Sequence, residues 1–432
     1  ELGGRVLAIL SDIIHEITKF ITWTVFVISM YYLIISFFGI WIKKDEKKCK
    51  PKNKFALVVA AHNEEIVIRN IVHSLKELDY PKEFYDIFVI ADNCTDRTAE
   101  RARKEGAIVY ERFNKEKRGK GYALEWMFNK IFKMTNGYNA VVVFDADNLV
   151  HKNFLNEMNK RMIKGDKVIQ GYLDSKNPED TWITGSYSIS FWTSNRMFQL
   201  SRSNLGLSNQ LGGTGFCIDI NVLKEIGWGA TCLTEDLEFS CKLVLNGYKV
   251  SWAHEAIIYD EKPLTLKQSW SQRRRWMQGF ADVSNRYFLK LIKKAVKDLD
   301  FKALDCALYS IQPIIILLFG FSMAMSTINY VNRALDMILN INEVLSMYIM
   351  NFNMVTFSAI IISVFQFIYT PFILILENKL DLKIFFYYII YPIYAVTWIP
   401  ISIQGILRKN DKEWSHTTHT RNVKINDLKK VN

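Results

Sequence analysis

Two aspartates one residue apart, Asp145 and Asp147, close a run of apolar β-formers (AVVVFDAD, residues 140–147). Paired hard oxygen ligands at a strand end suit Mg2+ or Mn2+, which keep coordination positions open for phosphate oxygens. A cation held there neutralises charge on a diphosphate leaving group. An acidic strand-end turn explains the same pair without a metal. Thr234-Glu235-Asp236 opens a helical stretch that ends at Gly247. One of its carboxylates, near a leaving group, could deprotonate an acceptor hydroxyl. The same residues also read as a helix cap with acids in the first turn. In Gln272-Arg273-Arg274-Arg275-Trp276, helical spacing puts Gln272, Arg275 and Trp276 on one face. Arginine pairs there with phosphate oxygens, and the indole offers a flat surface to a sugar ring. A basic, aromatic helix at a membrane surface has the same composition. Lys120 stands between two glycines before a helix (RGKGYA, residues 118–123). That is a phosphate cradle in outline, but without P-loop spacing, so ATPase chemistry is unsupported. Gly213-Thr214-Gly215 lets backbone approach a ligand closely, or forms a plain turn.

These residues need a scaffold that gathers them. Residues 54–305 alternate strand-like and helix-like runs: FALVVAA (55–61), DIFVIAD (86–92), AIVY (107–110) and AVVVFDAD as strands, with helical stretches at 64–78, 95–106 and 122–134. Continuous apolar strands alternating with helices indicate a mostly parallel sheet covered on both faces. Ligands bind such sheets beyond the carboxyl ends of the strands. The polar clusters fall there: HNEE (62–65), DNCTD (92–96) and DAD.

Half of the 432 residues are hydrophobic, and four windows carry no charge: 20–42, 306–332, 344–376 and 384–407. A membrane span needs about 20 apolar residues. Disorder, a disulfide-rich secreted domain and an ordinary soluble protein are therefore excluded. Net charge is +11, concentrated in residues 43–54 and 408–432, which read as positive-inside flanks of the membrane segments. No nucleic-acid module is recognisable. The six cysteines form no CxxC pair, which argues against a zinc site. The expected organisation is an interfacial helix (1–19), a transmembrane helix (20–42), a cytosolic catalytic domain (43–285), an amphipathic interfacial helix (286–304), a bundle of three or four transmembrane helices (305–407) and a cytosolic tail (408–432). A fourth C-terminal span at 334–350 would return the tail to the cytosol and leave the near-neutral loop 377–383 outside.

The motifs HNEE, DNCTD, GKGYAL, DAD, GTGF, TED and QRRRW, in this order, resemble membrane-integrated family 2 glycosyltransferases, the processive synthases of cellulose, hyaluronan, chitin and poly-N-acetylglucosamine. The resemblance implies an α/β GT-A fold beside a helical membrane bundle, and inverting transfer from a UDP-sugar with Mg2+ or Mn2+. It assigns Ala61, His62 and Glu64 to the uridine cup, Asp92 to the uracil and Lys120 to the diphosphate. Asp145 and Asp147 would bind the metal, and Asp236 would be the general base. Gln272 and Arg275 would hold the diphosphate. Trp276, with Gly213, Thr214, Gly215, Thr234 and Glu235, would meet the acceptor. The tail segment WSHTTHTR (414–421) is similar to a gating segment, carried here by Trp414, Thr417, Thr420 and Arg421. The expected reaction polymerises UDP-glucose to a β-glucan secreted through the protein's own channel in the plasma membrane. The alternatives are a synthase using UDP-N-acetylglucosamine and single-sugar transfer to a lipid. Implied partners are the donor, the growing polysaccharide, the bilayer and accessory secretion proteins.

Overall fold

The computed structural model describes residues 2–43, 49–339, 367–411 and 421–428. In chain order the elements are α1 (Leu2–Phe37), β1 (Phe55–Ala61), α2 (Ile68–Lys76), β2 (Tyr85–Asp92), α3 (Thr98–Lys104), β3 (Ile108–Arg112), α4 (Lys120–Ile131), β4 (Ala140–Asp145), β5 (Leu149–Val150), α5 (Phe154–Ile163), β6 (Val168–Ser175) and α6 (Trp182–Ser194). A π-helical turn (Asn195–Leu200) leads to α7 (Ser201–Leu205), β7 (Phe216–Asp219), α8 (Ile220–Ile226), α9 (Glu235–Leu245), β8 (Val250–Asp260), α10 (Leu266–Asp298), α11 (Phe301–Ser310) and α12 (Gln312–Leu339). An apolar helix, α13 (Phe367–Leu376), precedes α14 (Leu382–Val396) and α15 (Trp398–Leu407).

The strands form one sheet in the order β3-β2-β1-β4-β7-β6-β8-β5. Successive side chains of a strand point to opposite faces, and each face is covered. Leu57, Val59, Val142 and Phe144 pack with Ile71, Leu75, Phe154 and Met158 on one side. Ala56, Val58, Val141 and Val143 pack with Leu124, Met127, Phe128 and Phe239 on the other. The longer pairings are parallel, as expected (β1 with β2 and β4, β2 with β3, β6 with β8), and the sheet is made mixed by β7, which runs antiparallel to both β4 and β6, and by β5, antiparallel to β8. The GTG turn brings the chain into β7, with Gly213 at φ 80° and Gly215 at φ 62°, a backbone region open mainly to glycine.

Three segments depart from the expected organisation. Residues 1–19 and 20–42 are not separate elements, because α1 runs unbroken from Leu2 to Phe37. No break falls at 285/286 either. A Thr265–Gln268 capping box starts α10, and the chain stays helical to Asp298 before Leu299 turns left-handed, since no Gly or Pro interrupts the C-terminal half. The loop at 377–383, expected outside if 334–350 is a fourth span, packs on the α/β domain. Glu377 accepts from Arg196 Nη1 at 2.5 Å and from the Tyr172 hydroxyl at 2.7 Å, and Lys379 pairs with Asp174 at 2.6 Å. A near-neutral loop has no Lys/Arg bias to orient it; its charges find buried partners instead. Most of 334–350 lies outside the described residues.

Among the described residues two helices are long and apolar enough to cross a membrane, Glu16–Phe37 and Leu382–Leu407; the pair Phe301–Ser310 and Gln312–Ile328, bent by 65°, makes a third if counted as one span. The segment Leu382–Leu407 touches the α/β domain along its length. Tyr391 and Ser190 share a hydrogen bond at 3.0 Å, and Trp270 Nε1 donates to Gln404 at 2.9 Å. Gly185 and Gly405 permit this contact: a Cβ would sit 2.1 Å from the Tyr387 ring and 2.4 Å from Met277 Cβ, respectively. Phe386, Ile389, Ile393 and Leu407 remain exposed on its outer face.

The candidate membrane helices α1 and α11 are tied to the domain by a buried charge. Arg202 is bidentate to Asp305 at 2.8 and 2.9 Å, and the Tyr31 hydroxyl donates to the same carboxylate at 2.7 Å. Asp305→Ala strands a buried guanidinium, a loss of about 3–5 kcal/mol. Tyr31→Phe removes one hydrogen bond, about 1 kcal/mol. Thermal unfolding in detergent is expected to rank them in that order.

Candidate active site

The loops after β1 and β2 are laced together. Asn63 Oδ1 accepts from Thr95 N at 2.8 Å, Glu64 N donates to Thr98 Oγ1 at 2.8 Å, and Glu65 N donates to Asp96 at 3.0 Å. His62, directly after Ala61 at the end of β1, donates from Nδ1 to the Asp92 carbonyl at 2.7 Å. Thus Ala61, His62, Glu64 and Asp92 do share one sheet edge. The Asp92 carboxylate is already engaged: Arg112 Nη1 donates to it at 2.5 Å in a buried pair. Arg112 was not among the sequence candidates. Its signal is the parallel register that sets Asp92 opposite Arg112 on β3.

Lys120 opens α4 and points at the aspartate pair. Its Nζ lies 2.5 Å from Asp145, 2.6 Å from the Gly213 carbonyl and 3.9 Å from Glu235. The glycine after it allows the approach, since a Cβ on Gly121 would sit 2.9 Å from the Ala230 carbonyl. Asp145 N donates to Asn148 Oδ1 at 3.1 Å and to Thr214 Oγ1 at 3.0 Å. Asp147 accepts from Glu261 N at 3.0 Å. The DAD turn is therefore gripped by the GTG loop on one side and the exit of β8 on the other. Asn148 and Glu261 complete this grip and had no motif to announce them.

Glu235 and Asp236 stand at the start of α9, where Asp236 accepts from Leu237 N at 2.8 Å. Asp236 Oδ2 lies 3.4 Å from where a Cβ on Gly213 would sit. Burial pushes the Glu235 carboxyl up to about 7 and that of Asp236 up to about 6; the Lys120 ammonium opposes both shifts, and the mutual repulsion with Asp145 adds to them. Carboxylates poised near neutrality are suited to proton transfer. Thr234 occupies the cap position, but its hydroxyl does not cap. It is buried with no hydrogen-bond partner among the described residues, because ψ of 72° turns it away from the helix and against Gly279 of α10.

α10 supplies the opposite wall. Gln272 accepts from the Tyr187 hydroxyl at 2.8 Å. Trp276 meets Tyr187 edge-on at 6.0 Å and lies nearly parallel to Trp398 at 6.5 Å. Burial lowers the Arg275 guanidinium's pKa, while attraction to Glu235, Asp145 and Asp236 opposes the shift. Arg273 points elsewhere: fully buried, it donates to Thr397 Oγ1 at 2.8 Å and lies over the Tyr394 ring. Of the tail candidates, Trp414, Thr417 and Thr420 lie outside the described residues. Arg421 pairs with Asp180, and its N–H donates to Glu261 at 3.3 Å. The tail end therefore rests beside the loop that holds Asp147.

Comparison with known proteins gives a consistent result. Residues 51–279 match the family model described as glycosyltransferase like family 2. The chain is 28% identical over 267 residues to the probable glycosyltransferase YdaM of Bacillus subtilis, covering 59% of this chain and 62% of that protein. It is 29% identical over 237 residues to the beta-monoglucosyldiacylglycerol synthase of a Nostoc species, covering 52% and 48%. It is 28% identical over 287 residues to the poly-beta-1,6-N-acetyl-D-glucosamine synthase of Staphylococcus epidermidis, covering 61% and 66%. The chain thus spans about half to two-thirds of the length of these relatives. Among solved structures, the mannosyltransferase PcManGT from Pyrobaculum calidifontis, in complex with GDP-Man and Mn2+, matches with a TM-score of 0.57 at 16% identity over 92% of this chain and all of that one. The shared fold is GT-A.

Proposed function

Because the chain belongs to glycosyltransferase family 2, we propose that it is a processive, inverting hexosyltransferase that extends a β-glycan from a UDP-sugar. The observation that carries this reading is the single cluster in which Lys120, Asp145, Glu235, Asp236 and Arg275 act on one another. Asp236 is the base: its carboxylate takes the acceptor hydroxyl proton as the sugar is transferred. One base and a stabilised leaving group suffice for inversion, whereas a retaining hydrolase needs two facing carboxylates. Lys120 and Arg275 bind the diphosphate, Gln272 orients it, and the loops bearing Ala61, His62, Glu64 and Asp92 bind the uridine. The backbone of Gly213, Thr214 and Gly215 borders the acceptor site, with Thr234 and Glu235 beside it.

The residues present fit a divalent cation. Asp145 and Asp147 offer hard oxygens, and burial, with repulsion from Asp145 added to it, raises the pKa of Glu235 and Asp236, a cost that added positive charge relieves. Among the described residues no cluster of three or more His, Cys, Asp or Glu is arranged to hold a metal ion. On this proposal Asp145 and Asp147 would supply two carboxylates, and the remaining positions suit phosphate oxygens. When bound, Mg2+ or Mn2+ supplies charge neutralisation for the departing diphosphate.

Trp276 is the platform for the acceptor sugar. Tyr187, Tyr391, Tyr394 and Trp398 continue a packed aromatic cluster from it toward α14 and α15, with Tyr187 and Tyr394 fully buried. The proposed product is extended from Trp276 and exported past this cluster through the candidate membrane helices, with the catalytic domain cytosolic and the chain multi-pass in the plasma membrane. The tail gate, Trp414 to Arg421, would close over the donor. UDP-glucose, giving a β-glucan, is the proposed donor. The second reading, UDP-N-acetylglucosamine, is favoured by the likeness to the Staphylococcus epidermidis poly-N-acetylglucosamine synthase.

Sizing of radiolabelled product tests processivity. High-mass, hydrolase-sensitive material is expected; only short or lipid-extractable product would replace polymerisation with single-sugar transfer. Trp276→Ala is expected to shorten the product and reduce elongation by about tenfold, an interaction worth about 1.4 kcal/mol, with UDP affinity unchanged.

A further inference from the structure

One buried cation at this end of the sheet has no role in the mechanism above. Lys176 follows the last residue of β6, and its N–H extends the β6–β8 ladder by donating to the Asp260 carbonyl at 2.8 Å. The next residue on that strand's exit, Glu261, is the one whose N–H holds Asp147 at 3.0 Å. Lys176 is thus placed beside the second aspartate of the DAD turn, as Lys120 is placed on the first. Its residue is 5% exposed, and its ammonium has no hydrogen-bond partner among the described residues. The carboxylates that attract it are Asp147, Glu261 and Asp260, while Arg421 repels it. Each of these groups has a partner of its own: Asp260 pairs with Lys262 at 2.7 Å and the Arg421 guanidinium with Asp180, while Asp147 accepts from Glu261 N at 3.0 Å and Glu261 from Arg421 N at 3.3 Å. Burial holds the Lys176 pKa below the usual lysine range despite that attraction.

A buried ammonium with three unspent donors destabilises a fold, and a methionine of similar length would fill the same space. A compact anion with several acceptor oxygens is the partner such a group lacks. We infer that Lys176 is a second phosphate-binding cation of the donor site, donating to a diphosphate oxygen of the sugar nucleotide at the Asp147 end of the aspartate pair. The inference rests on the reading of this site as a sugar-nucleotide site.

The test is equilibrium binding of UDP, UMP and uridine, with Mn2+, to the full chain in nanodiscs, together with its melting temperature without nucleotide. Lys176→Met is expected to weaken UDP by about tenfold or more, as for a lost charge-assisted hydrogen bond, and to leave uridine within about twofold. Its melting temperature should be unchanged or higher. Wild-type affinity for UDP in Lys176→Met overturns the assignment, and so does a clear fall in its melting temperature, which would make Lys176 a structural partner of Asp147. A folded wild type that binds no UDP overturns the donor-site reading itself, and the assignment with it.

Discussion

Asp236→Asn is expected to lower turnover by about 10²–10⁴-fold, the usual worth of a positioned general base, while UDP still binds. The amide keeps the shape of the carboxylate and its acceptor for Leu237 N but cannot take a proton. Binding should survive because the groups proposed to hold UDP are others, chiefly Lys120, Arg275 and the β1 and β2 loops. The pH profile follows from the same group. Burial raises Asp236 to about 6 and Glu235 to about 7, so the base is protonated below that range. Turnover should rise with pH through about 6 to 7 and level off above. Stability should move the other way. A carboxyl whose pKa is higher in the folded state than the unfolded value of about 4 binds protons more tightly when folded, so its stabilising contribution is lost as pH rises between those values. Asp236→Asn and Glu235→Gln should therefore flatten the fall in melting temperature between about pH 4 and 7. Turnover by Asp236→Asn at the wild-type rate would remove Asp236 from the mechanism.

The aspartate pair carries the second large effect. Asp145→Ala and Asp147→Ala are each expected to reduce turnover by about 10²–10³-fold, the several kcal/mol that a Lewis-acid cation contributes to charge stabilisation. Both should also raise the Mn2+ concentration needed for half-maximal UDP release. The two differ in their structural consequences. Asp145→Ala frees Lys120, which keeps only the Gly213 carbonyl at 2.6 Å and the more distant Glu235. Asp147→Ala releases the Glu261 N–H and with it the loop on which the tail rests through Arg421. Mn2+ electron paramagnetic resonance titration separates lost metal affinity from a general loss of fold. Unchanged Mn2+ binding in both variants would place the metal elsewhere.

The elements that carry these residues were largely visible in the sequence because their signals are local. Residues 55–61 form β1 with the expected bounds, since an unbroken apolar run between polar ends has few other uses. Asp145 ends β4, and Asp236 sits in the first turn of α9, as the apolar run and the acidic helix start imply. What escaped notice depends on pairing between distant segments. Arg112 meets Asp92 across a strand register, and Arg196 meets Glu377 from 181 residues away. Neither pairing leaves a periodic trace, so counting a fourth span at 334–350 is the sequence's one guide to the 377–383 loop, and it does not reveal the contacts with Arg196, Tyr172 and Asp174. The antiparallel insertion of β7 was hidden for a similar reason: four residues of strand carry too little pattern to give a direction. Thr234 shows the limit of a local rule. It has the residue type of a helix cap, yet contact with α10 leaves its hydroxyl unused.

The most direct test of the account is UDP release by the purified full chain with UDP-glucose, UDP-N-acetylglucosamine, UDP-glucuronate or UDP-galactose, with and without Mn2+. The account predicts metal-dependent release from one of these donors and its loss in Asp236→Asn. Absence of release with every donor from a folded, UDP-binding protein, or release that persists undiminished in Asp236→Asn, would contradict it.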